Sequence, residues 1–102
     1  MDTYSALRDA ILKKRQVIAN YKCYRREMCP HAIGTKKGRA HVLCYQFGGE
    51  GSRGLTPGGE WRCLEVDELE NVSVREGPWH TSPNYSSWTQ SCIDRVDVEL
   101  HQ

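Results

Sequence analysis

A glycine-rich segment, residues 48–60, carries polar groups that suit an anion. Its sequence GGEGSRGLTPGGE places Ser52 and Arg53 between glycines, so a hydroxyl, a guanidinium and backbone amides can converge on a phosphate. Glycines also serve plain hairpin loops that need a positive φ, and the segment lacks the Lys-Ser/Thr ending of a P-loop. Two interpretations therefore stay open: a phosphate-binding loop and a flexible hairpin connection.

Basic, hydrogen-bonding and stacking side chains flank this segment on both sides. Together they offer the charge and the aromatic face that bind a nucleotide or a single-stranded nucleic acid. The alternative is structural, with Trp61 in the core, Arg62 in solvent by strand alternation and His41 as an ordinary strand residue. With the two loop residues, the candidate ligand-binding set is Arg39, His41, Gln46, Ser52, Arg53, Trp61 and Arg62.

The cysteines show no spacing typical of a metal or redox motif. There are five, an odd number, and none forms a Cys-x-x-Cys pair. We predict free, mostly buried thiols, with no intrachain disulfide and no bound zinc. A zinc set of Cys29, His31, His41 and Cys44 is the weaker alternative, because a strand points residues 41 and 44 to opposite faces.

No catalytic constellation is visible in the sequence. A cysteine or histidine nucleophile needs a base and an orienting group in reach, and no cysteine here has a family-type signature around it. Asp67, Glu68 and Glu70 are more typical of a turn between strands than of a metal site. The sequence therefore predicts a protein that is not an enzyme and needs no cofactor.

One helix and five or six strands must position these residues. Tyr4, Leu7 and Ile11 form the apolar stripe of a helix predicted over residues 3–14, capped by Asp2 or Thr3. Pro30 donates no hydrogen bond to a sheet ladder, so it belongs at a bulge, an edge or a strand end. Alternating patterns predict strands over residues 16–24, 25–33, 39–47, 61–66, 69–74 and 92–100.

Short strands at spacings near ten residues predict a mainly β (α+β) fold, with the helix flanking or plugging a small, strongly curved antiparallel sheet or barrel. We expect one domain over residues 1–102: the helix in 1–15, barrel strands in 16–76, and a C-terminal loop and last strand in 77–102. In that loop, Trp79, Tyr85 and Trp88 should return to the surface of the body. The predicted buried set is Leu7, Ile11, Val17 or Ile18, Tyr21, Val42, Cys44, Leu64, Val66 and Val72.

Composition indicates a small globular protein without a global attraction to polyanions. The 102 residues include 14 Lys plus Arg and 13 Asp plus Glu, for a formal net charge of +1. Any basic site must therefore be local. No apolar run approaches the roughly 20 residues of a membrane span, and the N-terminus carries no targeting pattern. We expect a cytoplasmic protein with no membrane partner.

Four motifs follow one another along the chain: LRDAILKKRQVIANY, an Arg before a Pro in RREMCPH, then GRAHVLCYQ and WRCLEVDELENVSV. Their order resembles that of the WYL domain of bacterial regulators. Ala40, His41 and Val42 stand where the Trp-Tyr-Leu triplet would align, and Glu68 stands where an Arg is usual. The resemblance implies an Sm-like or SH3-like barrel with an N-terminal helix. It also implies that the domain binds nucleotide or nucleic-acid ligands. Matching positions are Tyr21, Arg26, Pro30, Gly38, Tyr45, Trp61, Arg62, Val66, Asp67 and Leu69.

Two function classes follow from these features. The first is a non-catalytic ligand-sensing or regulatory module for a nucleotide or nucleic-acid-type ligand. The second is a small barrel that self-associates or docks a partner protein through Trp79, Tyr85 and Trp88, because exposed aromatics mark interfaces. For the first class, replacing Arg53 and Arg62 together by Ala should weaken binding about tenfold or more, since a charged hydrogen bond contributes roughly 1.5–3 kcal/mol.

Overall fold

The fold is mainly β with an N-terminal helix, as predicted. A computed structural model describes residues 2–50 and 58–100. The helices in these residues are α1 (Thr3–Lys13) and α2 (Tyr85–Cys92). The strands are β1 (Gln16–Tyr21), β2 (Tyr24–Lys36), β3 (Arg39–Gly49), β4 (Glu60–Glu65), β5 (Leu69–Arg75) and β6 (Arg95–Glu99). A 3₁₀ turn, Val66–Glu68, joins β4 to β5.

Helix α1 lies within one residue of its predicted bounds. The Asp2 carboxylate accepts a hydrogen bond from the backbone N–H of Ser5 at 2.8 Å, which caps the first turn. Lys14 ends the helix in the left-handed conformation with a φ of 50°. Leu7 and Ile11 are fully buried against the sheet, so the apolar stripe is the packed face.

The six strands form one antiparallel sheet in the order β4-β3-β2-β1-β5, and β6 pairs with the C-terminal half of β2. Within the described residues, β4 and β5 do not pair with each other, so the sheet is not closed. The long strands β2 and β3 change register twice, between Glu27 and Met28 and between Pro30 and Ala32. The second shift places Pro30 at a bulge, which is one of the three locations, with an edge and a strand end, that its missing N–H allows.

Each face of the sheet carries an apolar layer. The layer beneath α1 contains the buried positions that the alternation predicts, with Val17 rather than Ile18 inward and Val72 half-buried at the rim. The layer beneath α2 was not predicted as a separate core. It consists of Ala32, Leu43, Tyr45, Trp61, Cys92 and Ile93, with Tyr85 packed against it.

The chain between β5 and α2, residues 76–84, crosses the second face of the sheet, and we name it the strap. Near its start, Gln16 Nε2 donates a hydrogen bond to the Pro78 carbonyl at 2.6 Å. Near its end, Trp61 Nε1 donates to the Pro83 carbonyl at 3.0 Å. The strap therefore spans the sheet from β1 to β4 and delivers α2 to the second apolar layer.

The C-terminal region differs from the sequence prediction in two respects. Residues 85–92 form helix α2 instead of a loop, and the last strand begins at Arg95 instead of at residue 92. The apolar face of α2 is narrow, with Thr89 and Cys92 buried among exposed serines. Packing on the second layer therefore stabilises a helix that its own sequence signals only weakly.

The prediction of five free thiols is wrong for Cys63 and Cys92, which form a disulfide with Cα atoms 5.6 Å apart. Cys63 lies on the face of β4 that α2 covers, and Cys92 ends α2, so the fold joins two residues 29 positions apart. Spacing alone does not reveal this pair, because its geometry depends on the unpredicted helix. Cys23, Cys29 and Cys44 are free.

In residues 2–50 and 58–100, no three His, Cys, Asp or Glu side chains are grouped so that they can hold a metal ion. Neither described helix is long and apolar enough to cross a membrane.

Candidate anion site

The predicted ligand residues of β3 and β4 lie at opposite ends of this strand pair. Arg39 pairs with Lys36 at the β2–β3 turn, and His41 lies next to that end. Gln46 pairs with Glu60 at the other end, where the chain leaves for the β3–β4 connection. The structure therefore separates Arg39 and His41 from Gln46 and Arg62.

Trp61 is part of the second apolar layer and does not share a face with Arg62. Its ring lies edge-on to His31 at 4.7 Å and to Tyr45 at 5.2 Å between ring centroids. Its Nε1 hydrogen bond to the strap leaves no free donor. Trp61 is therefore a core residue, as the structural interpretation of the sequence predicted, and not a stacking surface for a ligand.

Arg26, Gln46 and Arg62 form a polar cluster that we name the arginine cluster. Gln46 is fully buried, and its Oε1 accepts hydrogen bonds from Arg26 Nη1 and Arg62 Nε, both at 3.2 Å. Its Nε2 donates to the carbonyls of Gly48 at 3.0 Å and Glu50 at 2.9 Å. Both polar atoms of the amide are thus in use, so Gln46 orients the two guanidiniums.

Arg26 is a buried cation, only 5% exposed. Among the described side chains, no carboxylate lies within ion-pair distance of it. Its Nε and Nη2 donate long hydrogen bonds of 3.4 Å to the Tyr21 carbonyl. Burial, followed by repulsion from Arg62, lowers the pKa of Arg26. A buried charge without a counter-ion is costly, so an anion placed here would be stabilised.

Arg62 connects this buried charge to solvent. Its side chain is 27% exposed, and its Nη2 donates to Glu60 Oε1. Glu60 is also partly exposed, so an incoming anion meets an internal carboxylate that competes for the same guanidinium. The cluster therefore contains two positive charges and one carboxylate, and that carboxylate forms an ion pair with Arg62 rather than with Arg26.

Basic and aromatic side chains alternate around the arginine cluster. The β1–β2 turn carries Lys22, and β2 begins with a half-buried Tyr24 and an exposed Arg25. The Tyr24 ring centroid lies 5.9 Å from the Arg26 guanidinium carbon, within cation–π distance. Ser52 and Arg53, the predicted phosphate ligands, belong to the connection that leaves from this end of the sheet, and they lie outside the described residues.

The opposite end of the β3–β4 pair carries a second basic surface. A shallow depression of about 330 Å³ is lined by Lys36, Lys37, Arg39, His41, Cys63 and Glu65. Arg39 Nη1 lies 3.6 Å from Glu65 Oε2, and His41 Nδ1 donates to the Arg39 carbonyl at 2.9 Å. We name this the hairpin depression.

His31 is the centre of an aromatic cluster that the sequence analysis did not anticipate. Its Nδ1 donates to the Cys29 carbonyl at 2.8 Å, so Nε2 is the acceptor for Thr81 Oγ1 at 2.9 Å. Burial lowers the pKa of His31 to about 4 and outweighs the hydrogen bond to Cys29, which raises it. His31 is therefore neutral near pH 7. The rings around it are Trp61, Trp79 and Tyr85.

The three aromatic anchors of the interaction hypothesis differ in exposure. Trp79 is half-buried with its ring 5.0 Å from that of His31, and the Tyr85 hydroxyl donates to the His31 carbonyl at 3.1 Å. Trp88, on α2, is 42% exposed. Two of the three anchors are thus engaged in holding the strap and α2 on the sheet.

Arg26 and Tyr24 were absent from the predicted ligand set. The available signal was the run YKCYRR, in which aromatic and basic residues alternate across a turn. No protein-family model matches the chain, and neither a curated protein nor a solved structure shows significant similarity to it.

Proposed function

We propose that this protein is a non-catalytic module that binds an anionic ligand of the nucleotide type at the arginine cluster. The observation that carries the proposal is the meeting of Arg26 and Arg62 on one neutral oxygen, Gln46 Oε1. Arg26 forms no ion pair with a described carboxylate, and the cluster holds two guanidiniums against the single carboxylate of Glu60. Guanidinium groups in a fixed orientation match phosphate oxygens in charge and geometry.

The surroundings of the cluster favour a nucleotide over a simple anion. Tyr24 offers a half-buried ring beside Arg26, and stacking on an aromatic face tolerates any base. The predicted phosphate ligands Ser52 and Arg53 lie outside the described residues, so the proposal rests on Arg26, Gln46 and Arg62. The resemblance to WYL domains supports the same ligand class, and we propose that the open sheet is a variant of their Sm-like barrel.

Glu60 should oppose the binding of an anion at the arginine cluster. In the absence of ligand, its carboxylate accepts from Arg62, and a phosphate must replace it or bind beside it. Removing this charge should therefore strengthen binding, whereas removing Arg62 should weaken it. A variant that is merely destabilised loses affinity. A gain in affinity without the Glu60 charge, together with a loss without Arg62, therefore cannot be explained by destabilisation alone.

The interaction-module alternative has less support. Trp79 and Tyr85 are used in internal packing, which leaves Trp88 as the exposed aromatic of the three. Scattered exposed apolar residues are normal on protein surfaces. The arginine cluster, by contrast, contains a buried guanidinium that forms no ion pair with any described carboxylate.

Equilibrium binding tests the proposal. The probe is a fluorescein-labelled ten-residue oligothymidylate, followed by fluorescence anisotropy, with ATP as an unlabelled competitor. Arg62→Ala should weaken binding about tenfold or more, because a charged hydrogen bond contributes roughly 1.5–3 kcal/mol. Arg39→Ala is the matched control, since Arg39 also pairs with a glutamate on these strands but lies at the other end.

Charge-removing variants complete this experiment. Glu60→Gln should tighten binding, and Glu65→Gln, at the hairpin depression, should leave it unchanged. Raising the salt concentration should weaken binding of the unmodified protein, because released counter-ions contribute to the affinity. Equal losses in Arg62→Ala and Arg39→Ala, or no binding at millimolar ATP and oligothymidylate, would show that the arginine cluster is not a nucleotide site.

A further inference from the structure

The Cys63–Cys92 disulfide presents only one of its two residues to solvent. Cys63 is exposed and lines the hairpin depression. Cys92 is 1% exposed beneath the end of α2 and packs in the second apolar layer. A small molecule in the depression can therefore approach Cys63, whereas the body of the protein covers Cys92.

The depression around Cys63 is rich in cations. Lys36, Lys37 and Arg39 line it, against the carboxylate of Glu65. Lys36 Nζ also donates to the Ser91 carbonyl, next to Cys92 at the C-terminal end of α2. Asp94 is a second carboxylate nearby, and it accepts from the backbone N–H of Lys37 at 3.1 Å. Three ammonium or guanidinium groups thus surround the exposed end of the disulfide, against two carboxylates.

We propose that this disulfide is a thiol–disulfide exchange site for a small anionic thiol, of the chemical class of an acidic thiol peptide. Attack by a thiolate depends on access to the sulfur, and access favours Cys63. The basic depression attracts an anionic thiol and stabilises its thiolate close to the bond.

The exchange balances with two molecules of the thiol. The thiolate of the first attacks Cys63 Sγ, the Cys63–Cys92 bond breaks, and Cys92 leaves as a thiolate that takes up a proton. The second thiol attacks the small-molecule sulfur of the mixed disulfide and releases the Cys63 thiol. The protein disulfide is reduced by two electrons, and the two small thiols are oxidised to one disulfide.

This site is separate from the proposed nucleotide site. The hairpin depression lies at the opposite end of the β3–β4 pair from the arginine cluster and shares no residue with it. The exchange proposal therefore does not depend on ligand binding at Arg26 and Arg62.

Reaction rates with thiols of opposite charge test the proposal. The oxidised full chain carries Cys23→Ser, which removes the exposed free thiol. It is treated with glutathione or cysteamine at equal thiolate concentration, quenched with an alkylating reagent and analysed by intact mass and peptide mapping. We expect glutathione to open the disulfide at least about threefold faster than cysteamine, with glutathione attached to Cys63, because the depression attracts anions.

Variants of the depression separate charge from simple accessibility. Lys37→Gln/Arg39→Gln should bring the rate ratio of the two thiols close to one, and high salt should do the same. Lys13→Gln, which removes an exposed cation on α1, should leave the ratio unchanged. Equal rates in the unmodified depression, attachment at Cys92, or a ratio that survives Lys37→Gln/Arg39→Gln would each overturn the proposal.

Discussion

Acidification should destabilise this protein through His31. The imidazole is fully buried, neutral and held by two hydrogen bonds, and burial lowers its pKa to about 4. In the unfolded chain, a histidine titrates near its ordinary pKa of about 6.5. Between these two values, the unfolded state binds a proton that the folded state does not. Stability is therefore fully present above about pH 6.5 and is lost as the pH falls toward 4.

The size of this loss follows from the two pKa values. The linkage relation gives a decrease in the free energy of unfolding of about 2 kcal/mol between pH 7 and pH 5, and of about 3 kcal/mol between pH 7 and pH 4. Asp97 adds a loss of the same sign at lower pH, because the hydrogen bond from Tyr4 lowers the pKa of this carboxyl. The His31 contribution must therefore be obtained by difference.

Urea unfolding followed by tryptophan fluorescence measures the effect, since Trp61 and Trp79 lie against His31. The unmodified protein and His31→Gln are compared at intervals from pH 7 to pH 4. His31→Gln should be less stable at pH 7 but should lack the decrease of about 2 kcal/mol by pH 5, and His41→Gln should retain it. Parallel curves for the unmodified protein and His31→Gln, or an NMR titration of His31 near pH 6.5, would refute the reasoning.

Two other predictions concern packing. Leu7→Ala should lower the free energy of unfolding by about 3–5 kcal/mol, because Leu7 is fully buried. Leu12 is 59% exposed, so Leu12→Ala should change the free energy of unfolding by less than about 0.5 kcal/mol. Comparable urea midpoints for the two variants would contradict this. Gly34→Ala should disrupt the β2–β6 pairing and expose β6 amides to hydrogen exchange, since its Cβ would lie 2.0 Å from the Arg95 carbonyl oxygen. In Gly48→Ala the three atoms nearest to the Cβ all belong to the Glu27 side chain, at 3.0–3.5 Å, so that variant should retain β6 protection.

The sequence was informative where local pattern and packing agree. The stripe of Leu7 and Ile11 predicts α1 because one face of a helix must be buried against the sheet. The missing N–H of proline restricts Pro30 to a bulge, an edge or a strand end, and the structure has a bulge there. Alternation predicts the inward residues of the layer beneath α1, because a one-residue slip would expose the whole apolar set.

The rest depends on contacts between distant segments. Helix α2 is stabilised by the second apolar layer, and Cys63 meets Cys92 only because this helix ends over β4. The predicted ligand residues were grouped because they flank one loop in the sequence. A strand extends about 3.3 Å per residue, so Arg39 and Gln46 lie at opposite ends of β3. Arg26 joins Arg62 through Gln46, a contact between three strands that neighbouring residues do not reveal.

An NMR titration of the arginine side chains tests the central claim most directly. The Nε–Hε resonances of Arg26, Arg39 and Arg62, assigned by single Arg→Lys variants, are followed while unlabelled ten-residue oligothymidylate is added. Ligand binding at the arginine cluster predicts saturable shifts of the Arg26 and Arg62 resonances with one common Kd, and an Arg39 resonance that stays in place. Shifts confined to Arg39, or unchanged Arg26 and Arg62 resonances under conditions in which the oligonucleotide binds, would contradict it.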